Sequence, residues 1–225
     1  MIFFWGLLFH NFGTSLGAGG VHFSEVMLLF AIASSSFGLF NIFFGGAQKL
    51  SQIIISGQLD VFLLYPKDPL FMSIISKSSL AAWGDLLFGC ILAFAVLPRN
   101  ISSALAFIYF SGVATIILAS FSVIINSLTF YLGNAQEIHR TALMGLLSFS
   151  SYPETVFSGA TKVILFSFLP VGLYLYLPLR AILRLDIASF ALSSGIAAVF
   201  LLTAWLVFRG GIKRFESGNL IYFTK

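Results

Sequence analysis

Apolar residues in this chain come in runs near 20 residues long, separated by short polar or Gly/Pro-rich breaks, and nowhere alternate with polar ones in the two-residue rhythm of a half-buried strand. A helix needs about 20 apolar residues to cross the hydrocarbon core of a bilayer, whereas a membrane barrel needs alternating segments of about 10. The pattern therefore predicts an all-α, polytopic membrane bundle. It has about five complete spans, a partial first helix at residues 1–9, and a broken or re-entrant region before the last span.

In chain order, residues 1–9 cover only part of a span and carry neither a basic n-region nor a small-residue cleavage site, so they read as the end of a helix rather than a signal peptide. Residues 10–25 are Gly-rich and form a connector. Residues 26–48 hold a span whose Ser34, Ser35, Ser36 and Gly38 let a neighbouring helix approach closely. A second full span is expected at 78–98, interrupted by Asp85, and a tight turn at Arg99 and Asn100. One long helix is expected at 104–132, ending at Gly133 and Asn134 as a C-cap signal. Glu137, His139 and Arg140 read as a polar turn. Residues 141–151 form a short helix that breaks at Tyr152 and Pro153. Residues 163–177, interrupted by Pro170 and Gly172, read as re-entrant or interfacial. The last span is 187–208.

Between the first two full spans lies residues 54–70, too polar to cross a bilayer and too rich in Ile, Val, Phe and Leu for a plain solvated loop. A short amphipathic helix at 49–56 ending at Gly57 is expected, with Pro66 and Pro69 preventing a regular helix through the second half. The segment reads as a structured interfacial connector able to receive another protein.

Composition sharpens this picture. The chain of 225 residues is 59% hydrophobic and 9% charged, with a mean hydropathy of +1.01, against roughly 25% charged residues in soluble domains. It reads as a single membrane domain over residues 1–225. The net charge of +4 sits at segment ends, which fits orientation in a membrane and not nucleic-acid binding. Lys49, Lys67, Lys77, Arg140, Arg209, Lys213, Arg214 and Lys225 fall on one side; Arg99, Lys162, Arg180 and Arg184 fall on the other. The positive-inside rule places the connector and the C-terminus in the cytoplasm.

Candidate chemistry is sparse. The chain has no Gly-x-x-x-x-Gly-Lys-Ser/Thr phosphate loop, its three histidines are scattered, and Cys90 stands alone, so neither ATP hydrolysis through that motif nor a cysteine metal site is expected. Asp60 and Asp68 each lie beside a turn signal, which favours capping. Asp85 is the one acid inside an apolar run. It is open to three readings: a proton relay, a polar contact between helices, or an acid near the interface because its helix begins later than residue 78.

Three motifs carry a family likeness. Gly57-Gln58-Leu59-Asp60 with Leu63-Leu64 and Pro66-Lys67-Asp68-Pro69-Leu70, then Tyr152-Pro153 with Phe157, Pro170 and Tyr176-Leu177-Pro178, and finally Gly211 to Gly218 resemble the small six-helix permease subunits of type-2 ABC exporters of the bacterial inner membrane. The resemblance implies a non-catalytic, multi-pass subunit that pairs with a second permease, identical or related. ATP would be bound and hydrolysed by a partner ATPase, and the chain itself would need no cofactor. It implies ATPase docking or coupling through Gly57, Leu59, Asp60 and Pro66, and an outer gate shaped by Tyr152, Pro153 and Pro170. Family members carry a cytoplasmic N-terminus and a complete first helix, of which residues 1–9 supply only the end. The alternative readings are an ion-coupled secondary transporter, or a membrane-embedded enzyme using Asp85.

Overall fold

The computed structural model describes residues 4–7, 9–11 and 22–215, and the regular structure among them is entirely helical. Residues 4–7 and 9–11 are helical, and the helices after them are α1 (Phe23–Phe43), α2 (Gly45–Gln48), α3 (Leu50–Ile55), α4 (Gln58–Leu63), α5 (Pro69–Ile75), α6 (Ala82–Val96), α7 (Ile101–Ser127), α8 (Thr129–Leu132), α9 (Gln136–Phe149), α10 (Gly159–Ser167), α11 (Leu177–Arg184) and α12 (Ile187–Ile212). A 3₁₀ turn at Glu154–Val156 precedes α10, and a π-helical turn at Gly172–Tyr176 leads into α11.

Three segments, Phe23–Phe43, Ile101–Leu132 and Ile187–Ile212, are long and apolar enough to cross a membrane; Gly159–Ser167 with Gly172–Arg184, bent by 80°, makes a fourth if the pair counts as one broken span. Helix α6, at 15 residues, is apolar but shorter.

Small residues decide how α1 meets α6. A Cβ on Gly38 would lie 2.7 Å from the Leu86 nitrogen, and one on Gly89 would lie 2.2 Å from Ser35 Oγ and 2.7 Å from the Ala31 carbonyl oxygen. The two helices run antiparallel with their backbones nearly touching, which is how membrane helices gain packing energy when lipid is as apolar as their side chains. The close approach expected from Ser35 and Gly38 is present.

Helix α7 is the central post. Thr115 Oγ1 donates to the Ser36 carbonyl at 3.2 Å, and Asn126 Nδ2 donates to the Ala47 carbonyl at 2.9 Å, tying α7 to α1 and α2. On its other flank the Phe110 and Phe190 rings meet at 4.7 Å and the Phe130 and Phe208 rings at 5.6 Å. These pairings set α1, α7 and α12 parallel, so their C-terminal ends share one end of the bundle with the connector. Lys49, Lys67, Lys77, Arg209, Lys213 and Arg214 gather there, with Arg99, Lys162, Arg180 and Arg184 at the far end. Lys225 and the end of the Gly211–Gly218 motif lie outside the described residues, as does most of the connector expected at residues 10–25.

Several boundaries differ from expectation for local reasons. Asn100 Oδ1 accepts from the Ser103 amide at 2.8 Å and starts α7 at Ile101, not at 104. Glu137 and Arg140 are not a turn but the first turns of α9, where the carboxylate meets the positive helix end and the two side chains pair at 3.1 Å. Gly133, at φ 80°, ends the α7–α8 rod as its position suggested.

Candidate functional site

The connector is a pair of short helices followed by a third. Gly57 adopts φ 71°, a left-handed conformation that costs a glycine little, and turns the chain between α3 and α4. Leu59 is completely buried and seats α4. Asp60 is half-buried in the first turn of α4. Beyond it the chain turns outward: Val61 and Tyr65 are exposed, Leu64 is 87% exposed, and Pro66 is exposed beside them. The four expected connector residues thus belong to one unit, with Leu59 as its anchor. Its projecting surface is made by Val61, Leu64 and Tyr65, of which the motif contains only Leu64.

The second half of the connector is not irregular. Asp68 Oδ1 accepts from the Leu70 and Phe71 amides at 2.9 and 3.2 Å, and Pro69 occupies the first helical position, where its missing N–H is no loss. Helix α5 then lies against α2 at Gly46, where a Cβ would stand 2.0 Å from the Ser73 carbonyl oxygen. Thr129 Oγ1 donates to Ser51 Oγ at 2.7 Å and accepts from the Ala135 amide at 3.2 Å, which fixes α3 to the end of the α7–α8 rod.

Arg209, at the end of α12, donates through Nη2 to Asp68 Oδ2 at 2.9 Å and lies over the Trp205 ring at 4.7 Å. Partial burial raises the Asp68 carboxyl, but the Arg209 hydrogen bond and the Phe71 and Leu70 amides outweigh it and hold the group below its ordinary 3.8. Because the folded value is the lower one, this contribution to stability is complete above about pH 4 and disappears as pH falls through the folded value. Asp68→Asn is therefore expected to flatten the acid limb of thermal stability between pH 5 and pH 2.5 in detergent. An acid limb identical to that of the unmodified chain would remove the assignment.

At the far end, Tyr152 and Pro153 lie against the π-helical turn that follows Pro170. Tyr176 Oη donates to the Tyr152 carbonyl at 2.9 Å, Pro153 is buried, and buried Pro170 stands at the bend between α10 and the π-helical turn. Trp5 Nε1 donates to the Ser151 carbonyl at 3.2 Å. The residue that ties this region together is Glu154, only 11% exposed, which pairs with Lys162 of α10 at 2.7 Å and with Arg180 of α11. A cavity of about 430 Å³ opens beside it, with Glu25 and Arg180 on its polar side and Leu29, Leu179 and Leu183 on its apolar side. Sequence reasoning placed Lys162 and Arg180 only as orienting charges; the sole hint of the cluster was an acid next to Pro153 in an otherwise apolar stretch.

Asp85 joins neither group. It lies exposed in the first turn of α6, which starts at Ala82 and not at 78, so its carboxylate sits at a helix end and not within a span.

A family model described as ABC-2 family transporter protein matches residues 1–218. No curated protein and no solved structure matches the chain.

Proposed function

The chain belongs to the ABC-2 transporter family, and from that premise we propose that it is the membrane-spanning subunit of an ATP-driven exporter, receiving a separate ATPase on the connector of residues 54–70. As a member of that family with several apolar helices, it is a multi-pass membrane transport subunit. The finer reading assigns ATP binding and hydrolysis to the partner, pairs the chain with a second permease, and places the connector end in the cytoplasm of a bacterial inner membrane. Pro170 and the Tyr152–Pro153 break shape the outer gate in this reading.

The observation that carries the docking proposal is the outward-facing apolar tip of Val61, Leu64 and Tyr65. It is held on buried Leu59, behind which α2 and α3 are bonded to the α7–α8 rod, Ala47 by Asn126 and Ser51 by Thr129. An exposed apolar cluster on a rigid seat is the ordinary form of a protein contact. A push delivered there reaches α7 through hydrogen bonds and helix packing, and reaches α12 through Asp68 and Arg209.

The test is recovery of the ATPase with the tagged chain from mild detergent. Val61→Asp with Leu64→Asp is expected to reduce recovered ATPase by about tenfold or more, since truncating a central apolar anchor costs on the order of 2 kcal/mol and a charge more. Both side chains are exposed, so the elution profile of the chain is expected to stay unchanged. Full recovery with the double variant would end the proposal.

A further inference from the structure

We propose that the connector end carries a binding site for the phosphate-bearing headgroup of an anionic lipid, in the cavity between Lys49 and Lys77. This cavity measures about 550 Å³ and is lined by both lysines together with Gln52, Gln58, Asn134 and Gln136. No carboxylate lines it among the described residues, and neither lysine has an ion-pair partner there. The other basic residues with partners contrast with this: Arg209 is paired with Asp68, Arg140 with Glu137, and Lys162 and Arg180 with Glu154.

Depth along the bundle selects a lipid. Lys49 follows α1 by six residues, Lys77 precedes α6 by five, and Asn134 and Gln136 follow the α7–α8 rod by two and four. Three apolar helices therefore end at the rim of one cavity, which places it at the level of the headgroups. Ile53 and Ile55 add an apolar wall on the α3 side. Two ammonium groups and four carboxamides match a phosphate diester, which needs positive charge and several N–H donors, and basic pockets between span ends are suited to such headgroups.

The side chains are held for this task by the surrounding turn. Asn134 Oδ1 accepts from the Gln136 amide at 2.9 Å and lies 3.4 Å from Ser51 Oγ, leaving the Asn134 amide group as a donor. Lys49 is the residue between α2 and α3, so the headgroup would bear on the same connector that carries the exposed tip. The site does not depend on the docking proposal, because lipid binding is read on the chain alone.

The test uses the full chain purified in detergent, with lipid adducts counted by native mass spectrometry during titration with phosphatidylglycerol or phosphatidylcholine. The unmodified chain is expected to retain phosphatidylglycerol preferentially, and Lys49→Gln with Lys77→Gln to lose that preference by roughly tenfold or more, as two lysines near a membrane surface imply. Arg140→Gln, which removes one charge at the same end outside the cavity, is expected to keep it. An unchanged preference in the double variant, or an equal loss in Arg140→Gln, overturns the site. Thermal stabilisation by millimolar inorganic phosphate equal to that by the lipid would assign the pocket to a soluble anion and overturn the lipid. Loss of ATPase recovery in the double variant with adducts unchanged would give the lysines to the protein partner instead.

Discussion

Gly89→Leu is expected to abolish the folded protein or to lower its stability by about 3–5 kcal/mol, as severe overpacking against backbone does. The first atom added already overlaps Ser35 Oγ at 2.2 Å, the Ala31 carbonyl oxygen at 2.7 Å and the Ser35 nitrogen at 2.7 Å. A side chain could rotate away; two backbone atoms of α1 cannot. The only relief is to separate α1 from α6, and that separation also unseats Gly38 from Leu86 and loosens the hydrogen bond from the Ser79 amide to the Asn41 carbonyl at 3.2 Å. Fluorescence-detected size exclusion and thermal unfolding in detergent measure the loss. Gly195→Leu supplies the contrast, because nothing lies within 4 Å of a Cβ at that position of α12. Similar behaviour of the two variants would show that α1 and α6 are not packed as described.

The second large effect belongs to Glu154→Gln. One carboxylate meets a cation from each arm of the bent pair, Lys162 from α10 and Arg180 from α11, so it fixes the angle between them. Lys162 and Arg180 are about half-exposed and can rehydrate when the charge is removed, which limits the cost. A loss of about 1–2 kcal/mol is expected, between the values for surface and buried pairs. The loss is local: amide hydrogen exchange over residues 159–184 should quicken while that of α7 stays slow. Unchanged exchange over 159–184 would show that Pro170 and the packing of Tyr174 and Tyr176 alone hold the bend.

Much of the fold was legible because single residues carry strong local rules. Gly57 and Gly133 both adopt positive φ where a helix end was expected, Asp68 caps as its turn position implied, and Ser35 and Gly38 mark a close helix contact. The bend at Pro170 was legible too, since proline removes a backbone donor and crowds the preceding turn. The boundaries were less so: Asn100 and Glu137 start helices through one hydrogen bond and one ion pair that no periodicity encodes.

The candidate sites were hidden for a different reason. Whether Leu59 or Leu64 faces outward depends on how α4 settles against its neighbours, and both are leucines in the same short motif. The Glu154, Lys162 and Arg180 cluster joins residues separated by a bend, and Lys49 and Lys77 line one cavity because α1 and α6 lie side by side. Such partners are set by tertiary packing, at sequence separations where pattern reading has no signal.

The shortness of α6 has a consequence for how the protein is made. Fifteen helical residues reach about 22 Å, well under the roughly 30 Å of hydrocarbon, so this helix is a poor candidate for entering the bilayer unaided. Its glycine-lined contact with α1 supplies what its length lacks, because α1 emerges earlier from the ribosome and can wait beside the translocon as a template. Insertion is then cooperative: a chain whose α1 is removed should leave α6 outside the bilayer, and because two opposite crossings are lost together, α7 and α12 keep their orientation.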